Sequence, residues 1–487
     1  MITARAFAGK HYAVYGLARS GLATVEALLA SGAEVTAWDV KLSPSPRWGE
    51  GRGEGAQPQN LSAEHPHPAL SLQGEGLVIA DLDTADLSQF DSLVVTPGLP
   101  LNRHPIASRA RAAGVEIIGD IELFARARAE LPPHKVVGIT GTNGKSTTTA
   151  LVHHILQTAG VPSAMGGNIG LPILAQDPLP DGGVYVLELS SYQIDLTQSL
   201  DCDVAVLLNI TPDHLDRYES FEAYADSKIR LIDLQQTGQR AFVGMHPFAR
   251  FKMYRTGHEP TIDMIEETPI DLLSRQDRIN MLHRLEDAES FAEAIEQMAQ
   301  RGAAYLRDAQ ANWPALQGPH NRENALAALA TCRSLGVNEK TILEGLRTYP
   351  GLPHRMERIR ELNGVTFVND SKATNPTATA PALAAFDRIR WICGGQAKTD
   401  NLDECAPHFS HVRKAYTIGE AGELFASLLS PHMSVAQCET LERAVGQAAA
   451  EAESGDTVLL SPACASFDQF RDFEDRGETF KRLVGAL

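Results

Sequence analysis

The sequence has few cysteines, a shortage of positive charge and no long apolar run. Its six cysteines are scattered over 487 residues without a CxxC pair, which argues against a disulfide framework or zinc site and predicts reduced thiols. With 43 Lys and Arg against 61 Asp and Glu, the net charge of -18 is unfavourable for nucleic-acid binding. No stretch reaches the roughly 18 apolar residues of a membrane span, and residues 1–16 lack a signal-peptide core. We therefore expect a cytoplasmic protein without nucleic-acid binding or membrane insertion.

Strand-like and helix-like segments alternate along most of the chain, and the length suggests about three domains. We place the domains at 1–130, 131–350 and 351–487. The expected fold class is α/β, with a Rossmann-like N-terminal domain, a central P-loop ATPase-type domain with a mostly parallel sheet, and a C-terminal Rossmann-like α/β domain.

A phosphate-binding loop is predicted in VVGITGTNGKSTTTALVHHIL, residues 136–156. A short apolar run predicts a buried strand, a glycine-rich turn follows, and a helix begins near Lys145. Backbone N–H groups at such a helix start bind anions, Lys145 adds a positive charge, and Ser146 can hold Mg²⁺. The match to GxxxxGK[ST] is imperfect because Ile139 stands where the first glycine is required. An ordinary strand–helix turn containing a lysine is the alternative.

The N-terminal segment contains a relaxed dinucleotide-type turn. HYAVYG predicts a strand, Gly16-x-Ala18-x-x-Gly21 the turn, and Asp39 follows a second strand at the position of a ribose-binding acid. A Thr-Pro-Gly turn at 96–98 is predicted at the same sheet edge. This pattern alone is weak. It suggests a NAD-dependent oxidoreductase only as a distant alternative, which would leave the phosphate loop and the third domain unexplained.

Two stretches interrupt the α/β pattern. Residues 43–76 are rich in Gly, Pro, Ser and Glu, which predicts a disordered insert. From about 245 to 313 the chain is atypical, because its first part gives no clear strands and its second part resembles a surface helix. The central sheet is therefore expected to be altered or incomplete there.

Four polar side chains fall at the ends of central strands or on the helices that follow. Ser146, Glu188, His214 and Lys228 are candidates for a phosphate and metal site, since a carboxylate beside a phosphate loop suits a hard cation. Taken singly, Glu188 could be a surface carboxylate, His214 structural and Lys228 an ordinary helix-surface lysine. Asn324, near the start of a predicted helix, could cap backbone N–H groups or face an adenine.

Eight motifs occur in one order over nearly the whole chain: GTNGKSTTT, GGNIGLP, LELSSYQ, NITPDHLDRY, GPHNRENALAA, GLPHRMERI, NDSKATNP and SPACASFDQFRDFEDRGETF. Together they resemble the Mur ligases of peptidoglycan synthesis, and the last three are most similar to the D-glutamate-adding type. The resemblance fails at about 43–76 and 245–313.

The resemblance implies an ATP-dependent ligase that adds D-glutamate to UDP-N-acetylmuramoyl-L-alanine. The alanine carboxylate first takes the γ-phosphoryl group, and the amine of glutamate then attacks the acyl phosphate. The implied cofactors are ATP and Mg²⁺ at two sites, with Lys228 carbamylated. Such an enzyme is expected to be a monomer, with the third domain closing over ATP.

The resemblance also assigns the site residues. Lys145, Glu188, His214, Lys228 and Lys372 are the implied catalytic residues. ATP would be bound by Gly141, Thr142, Asn143, Gly144, Lys145, Ser146, Thr147, Asn324, Arg355 and Asp370. The uridine-diphosphate substrate would contact Ser20, Asp39, Gly98, Asn168 and Ser190. Glutamate would contact Lys372, Thr374, Lys398, Ser466, Phe467 and Phe473. The metal ligands would be Ser146, Glu188, His214 and carbamylated Lys228.

Two alternatives remain beside this interpretation. Another ligase of the family would take L-glutamate or a diamino acid, although a diamino acid calls for an acidic pocket. A nucleotide-dependent binding or regulatory protein without catalysis is also conceivable because of the two interruptions.

Overall fold

The structure is a computed structural model that describes residues 1–39, 76–211, 213, 217–244 and 309–487, and the backbone of 261–265. All of the predicted insert at 43–76 except Gly76, most of the atypical stretch at 245–313, and His214 therefore lie outside the described residues. In the described part of the chain, no helix is both long and apolar enough to cross a bilayer. The chain divides into two compact units, Met1–Ile265 with Ala330–Val337, and Glu266–Leu329 with Asn338–Leu487.

The first sheet is parallel and has the strand order β3-β2-β1-β4-β5. This is the doubly wound order whose ligands bind at the carboxyl ends of the strands. Its strands are β1 His11–Tyr15, β2 Glu34–Trp38, β3 Leu77–Ile79, β4 Ser92–Val95 and β5 Glu116–Ile118, and its helices are α1 Arg19–Ala30, α2 Pro105–Ala112 and α3 Asp120–Ala127.

The second sheet is parallel and places the phosphate-loop strand at its centre, in the order β11-β10-β9-β6-β8-β7. Its strands are β6 His134–Thr140, β7 Ser163–Gly167, β8 Gly183–Glu188, β9 Val204–Leu207, β10 Arg240–Gly244 and β11 Thr261–Ile265. The helices are α4 Lys145–Thr158, α5 Ser191–Asp195 and α6 Phe221–Asp233. Position 138 in the middle of β6 is suited to glycine, because a Cβ there would come 2.6 Å from Cys202 Sγ.

One expectation about this sheet was wrong. The first part of the stretch at about 245–313 gives no clear strand in the sequence, yet Thr261–Ile265 forms β11 and pairs in parallel with β10 over five residues. The strand is short and stands among polar residues, so its pattern is too brief to be detected locally. Its pairing with β10 is what reveals it.

A single hydrophobic core connects the first two sheets. The cluster includes Val14 and Val35 from the first sheet and Val136 and Leu207 from the second, all nearly inaccessible to solvent. The short 3-10 helix Ile173–Ala175 packs on α1 and α3, and Ile2 N donates to Leu174 O at 3.0 Å. These two sheets are therefore packed as one body.

The second unit contains the third sheet, in the order β12-β13-β17-β14-β15-β16, parallel except for β12. Its strands are β12 Glu357–Leu362, β13 Val365–Asn369, β14 Ile389–Gly394, β15 Val412–Ile418, β16 Ser434–Glu439 and β17 Thr457–Leu460. The remaining helices are α7 Pro319–Ser334, α8 Glu339–Thr348, α9 Pro376–Leu383, α10 Gly422–Leu429, α11 Leu441–Glu451 and α12 Phe473–Gly485. Two apolar clusters, one containing Trp391 and the other Phe480, provide its core. Three mostly parallel sheets with helices confirm the predicted fold class.

Candidate active site

The phosphate loop runs from the end of β6 to the start of α4. Gly144 stands at the N-cap with a left-handed φ of 85°, and no side-chain hydrogen bond caps the helix. Gly141 has φ of 150°, and a Cβ there would approach Leu208 Cβ and the backbone of Asn209 to 3.0–3.3 Å. The strand, the glycine-rich turn and a helix start without a side-chain cap together have the geometry of an anion site, and binding of phosphate there stays a prediction.

Asn209, just after β9, fixes the conformation of this loop. Its Oδ1 accepts from Asn143 N at 2.8 Å and its Nδ2 donates to Asn143 O at 3.1 Å. Thr142 N donates to Asn209 O, and the Thr142 hydroxyl donates to Thr211 O while accepting from Thr211 N. The segment that follows β9 thus holds the loop through both backbone and side-chain atoms.

Lys145 and Lys228 converge on one carbonyl. Both Nζ atoms donate to Gly141 O, at 3.0 Å from Lys145 and 2.9 Å from Lys228. Lys228 is only 2% exposed, and its Nζ lies 4.6 Å above the centre of the Tyr224 ring. Burial, reinforced by the charge of Lys145, lowers the pKa of Lys228 to about 7. Interpreting Lys228 as a surface lysine is therefore wrong, and its amine is largely neutral above that pH.

Glu188 ends β8 directly beside the phosphate-loop strand, where it pairs with Ile139. The side chain is 2% exposed. Its Oε1 accepts from Asn168 Nδ2 at 2.9 Å, whereas Oε2 is buried without a hydrogen-bond partner among the described residues. A buried, half-satisfied carboxylate fits a hard cation.

The glycine pair before Asn168 explains how its amide reaches Glu188. Gly167 has φ of 85°, and a Cβ there would lie 2.1 Å from Glu188 O. Asn168 N donates to the same carbonyl at 2.9 Å. The predicted substrate residue Asn168 is thus also a positioning group for Glu188.

The structure also shows the local surroundings of three other predicted residues near the second sheet. Ser190 forms a capping box with Gln193 at the start of α5, so its hydroxyl stabilises that helix. Ser146 is buried and Thr147 half-buried in the first turn of α4. His214 lies outside the described residues.

The glycine-rich turn of the first sheet is closely packed. A Cβ on Gly21 would lie 1.9 Å from Gly16 O, and one on Gly16 would lie 2.4 Å from Thr96 Oγ1. Asp39 Oδ2 accepts from Leu17 N at 2.7 Å, so this predicted ribose contact also holds the turn. Ser20 lines a small cavity beside this turn.

Gly98 lies at the same edge of the first sheet and contacts a loop of the second. Gly98 O accepts from Arg217 Nη2 at 2.8 Å. Arg217 in turn lies 4.9 Å above the Tyr192 ring. Both residues are within the first unit, so the structure brings the predicted uridine-diphosphate edge next to the central sheet.

In the second unit, the segment 354–374 carries several predicted residues. The Asp370 carboxylate accepts from Ser461 Oγ at 2.8 Å and from Met356 N at 3.1 Å, and burial raises its pKa to about 7. Arg355 is half-buried nearby, and its charge opposes that pKa shift. Asp370 is therefore a bridge between two loops as well as a candidate for ribose contact.

The predicted glutamate residues lie on loops that follow strands of the third sheet, except for Phe473, which begins α12. Lys372 Nζ lies 4.0 Å above the Phe473 ring, Ser466 is buried, and Thr374 is half-buried. Lys398 and Phe467 are exposed. The loops of Lys398 and Ser466 are joined, because Gln396 and Ala465 exchange two backbone hydrogen bonds of 2.9 Å.

Asn324 lies early in α7, within the second unit. Its Nδ2 donates to Asn321 Oδ1 at 3.1 Å, and Asn321 Nδ2 donates to Gln317 O at 3.0 Å. Both amides are buried. A chain of amides thus orders the start of this helix.

Comparison with known proteins agrees with this architecture. Residues 139–332 match the model of the Mur ligase middle domain, and residues 354–464 match that of the Mur ligase, glutamate ligase domain. The UDP-N-acetylmuramoylalanine--D-glutamate ligase of Novosphingobium aromaticivorans is 55% identical over 100% of this chain and 97% of its own length. The ligase of the same name from Sphingopyxis alaskensis is 52% identical over the full length of both chains. The chain belongs to the Mur ligase family.

Solved structures of this family share its fold. MurF ligase from Thermotoga maritima, in complex with ADP, has a TM-score of 0.54 at 15% identity, covering 99% of this chain and 96% of its own. UDP-N-acetylmuramate-alanine ligase MurC from the same organism has a TM-score of 0.51 at 15% identity, with coverages of 98% and 99%. The resemblance predicted from the eight motifs is therefore confirmed at the level of family and fold.

The motifs of this Mur ligase contain residues whose roles sequence reasoning missed. Asn209 and Thr211 stand in NITPDHLDRY, and Arg476 stands in the last motif. The Asn209 side chain bonds the backbone of Asn143, the Thr211 backbone bonds the Thr142 hydroxyl, and Arg476 donates to backbone carbonyls of other loops. For Asn209, its place after an apolar strand adjacent to β6 was the signal that could have identified it.

Proposed function

We propose that this protein is an ATP-dependent ligase that joins D-glutamate to UDP-N-acetylmuramoyl-L-alanine, forming an amide and releasing ADP and phosphate. The observation that carries the proposal is the full-length identity of 52–55% with ligases named for D-glutamate. The phosphate loop, Glu188 and Lys228 within one unit supply groups that this chemistry requires.

The first chemical step transfers the γ-phosphoryl group of ATP to the alanine carboxylate. Two anions must meet, so catalysis depends on positioning and on positive charge. The loop amides at 141–147 and Lys145 hold the phosphates. Lys145 Nζ now rests on Gly141 O and Thr142 O, and it turns from these carbonyls to reach a phosphate.

Mg²⁺ would be held by Ser146 and Glu188 at one site, and by His214 and carbamylated Lys228 at a second. When bound, Mg²⁺ neutralises charge on the transferring phosphoryl group. The buried Oε2 of Glu188 supports the first site. The lowered pKa of Lys228 supports carbamylation, because only the neutral amine attacks CO₂ and the product is an anion.

Glutamate then attacks the acyl phosphate through its amine. Lys372, Thr374, Lys398, Ser466, Phe467 and Phe473 bind the amino acid. Two ammonium groups and a hydroxyl suit a dicarboxylate. Asn324, Arg355 and Asp370 bind the nucleotide, and Ser20, Asp39, Gly98, Asn168 and Ser190 bind the uridine-diphosphate substrate. These assignments follow the family resemblance.

Three functional domains, at 1–130, 131–350 and 351–487, divide this work among substrate, ATP and glutamate. The third closes over ATP in each cycle. The protein acts as a cytoplasmic monomer, without nucleic-acid partners.

The deciding experiment measures phosphate release from ATP, Mg²⁺ and UDP-N-acetylmuramoyl-L-alanine with D-glutamate, L-glutamate, a diamino acid or no amino acid. We expect release only with D-glutamate. Release with another amino acid instead would contradict the specificity, and no release despite ATP binding would indicate a non-catalytic protein. A Lys145→Met variant is the control for contaminating ATPase activity.

A further inference from the structure

Arg217, in the segment between β9 and α6, connects the first sheet to the central one. Its Nη2 donates to Gly98 O at 2.8 Å, and its guanidinium carbon lies 4.9 Å from the centre of the Tyr192 ring. The residue is half-buried. One arginine thus contacts both the Thr-Pro-Gly turn, where the uridine-diphosphate substrate is proposed to bind, and the start of α5.

The Thr-Pro-Gly turn has a cavity beside it. Within the first sheet, Thr96 N donates to Tyr15 O at 3.1 Å. On the other side lies a cavity of about 480 Å³, whose lining includes Leu99 directly after the turn and Tyr192 from α5. Because the cavity provides no packing contacts there, the position of the turn should depend on the bond from Arg217.

Three tyrosine rings continue this connection as far as the phosphate loop. Tyr192 and Tyr218 are stacked, with ring centres 6.0 Å apart and planes inclined by 10°. Tyr218 meets Tyr224 edge to face at 5.4 Å, and the Tyr224 hydroxyl lies 3.1 Å from Thr142 Oγ1 in the phosphate loop. A continuous series of contacts therefore leads from the Thr-Pro-Gly turn to the loop that is proposed to bind ATP.

Hydrogen bonds fix the middle of this series. The Tyr218 hydroxyl donates to Asp195 Oδ2 at 2.8 Å and lies 3.3 Å from Ser227 Oγ. Ser227 is buried, and its hydroxyl donates to Ser191 O at 3.0 Å. Tyr218 is thus tied to both α5 and α6, so a displacement at one end should be passed on through packed side chains.

We propose that Arg217 is a positioning residue that couples the uridine-diphosphate site to the phosphate loop. Its bond to Gly98 and its contact with Tyr192 order the Thr-Pro-Gly turn when the phosphate loop is occupied, and the converse also holds. Each ligand then loses less conformational entropy when the other is already bound, which gives positive cooperativity. This inference rests on the proposed function, because it takes that function's substrates as the ligands of the two sites.

The test compares Arg217→Met, Arg217→Lys and Arg111→Met. Arg111 is exposed on α2 and lines the same cavity, so its substitution removes an equal charge and leaves the Gly98 bond in place. For each protein, the Kd of the uridine-diphosphate substrate is measured by calorimetry with and without a non-hydrolysable ATP analogue and Mg²⁺. The ratio of the two Kd values is the coupling factor. Hydrogen exchange of residues 96–101 is measured by mass spectrometry with and without the analogue alone.

We expect a coupling factor of about five or more in the wild type and of about one in Arg217→Met, which cannot donate to Gly98 O. The Kd of the analogue alone should change by less than about twofold. Arg217→Lys keeps a donor but loses the planar group over Tyr192, so its coupling should be intermediate. The analogue should slow exchange of residues 96–101 in the wild type and Arg111→Met, but not in Arg217→Met.

The absence of coupling in the wild type, or an unchanged coupling factor in Arg217→Met, would overturn the proposal. If Arg217→Met does not fold, Arg217→Lys decides through the same comparison. Failure of the proposed function is recognised separately, because the wild type would then release no phosphate with D-glutamate. The exchange of residues 96–101 with the ATP analogue alone still judges the role of Arg217 in that case.

Discussion

Lys228 offers a direct physical test of the central site, because its buried amine should make stability depend on pH. Its pKa is lowered from 10.5 to about 7 in the folded protein. Between these values the unfolded state binds a proton that the native state does not bind, so stability rises with pH across this window. From pH 7 to pH 9, Lys228 should increase the free energy of unfolding by about 2 kcal/mol.

The perturbation is Lys228→Met, which replaces the amine by an apolar side chain of similar length. The unfolding free energy is measured by urea titration at pH 7 and pH 9, in CO₂-free buffer without Mg²⁺. Over this interval we expect the free energy of unfolding to increase by about 2 kcal/mol more in the wild type than in the variant. Lys135→Met, at an exposed position on β6 of the same sheet, is the control and should behave like the wild type.

The same pKa predicts the reactivity of the amine. At pH 8 about 90% of Lys228 should be neutral, against about 0.3% of a lysine with its ordinary pKa. Labelled bicarbonate should therefore give a carbamate signal in the wild type that is missing from Lys228→Met. Identical pH slopes for the two proteins, with no carbamate in either, would refute this account of a buried neutral lysine.

Further predictions concern the remaining parts of the site. Glu188→Gln should raise the Mg²⁺ concentration needed for half-maximal activity by about 10–100-fold, because Oε2 loses its negative charge. A Mg²⁺ titration measures this, and an unchanged requirement would exclude Glu188 as a ligand. Asn209→Ala should weaken ATP binding about tenfold by releasing the loop, measured by calorimetry; unchanged affinity would contradict a positioning role. Gly21→Ala should destabilise the protein in thermal melts and raise the KM for the uridine-diphosphate substrate, since its Cβ would collide with a carbonyl oxygen. Gly446→Ala, in α11 with open space around it, should instead stabilise the protein by about 0.5–1 kcal/mol.

Local patterns were sufficient to predict the three α/β sheets and the phosphate loop. The strands β1, β6 and β14 are apolar runs bounded by turn residues, and these signals survive in a single sequence. Glu188 was recognised as a candidate because it closes such a run. These features depend on residues that are neighbours along the chain.

Features that depend on tertiary contacts were harder to predict from the sequence. Lys228 stands in the apolar stripe of α6, four residues after buried Tyr224 and three before buried Leu231. This spacing indicates a buried position and argues against a surface lysine. β11 becomes visible only through its pairing with β10. Arg476 donates to Ser371 O and Cys464 O, which are more than ten residues away along the chain, so no local pattern reveals these contacts.

The shared core of the first two sheets has a consequence for what the enzyme can accept. The glycine-rich turn of the first sheet and the phosphate loop of the second belong to one compact unit with a shared core. If the proposed substrate is anchored at the first turn, its reactive carboxylate must extend as far as the phosphate loop. In the proposed function, the shared core would therefore select substrates by the distance between their two ends as well as by their functional groups.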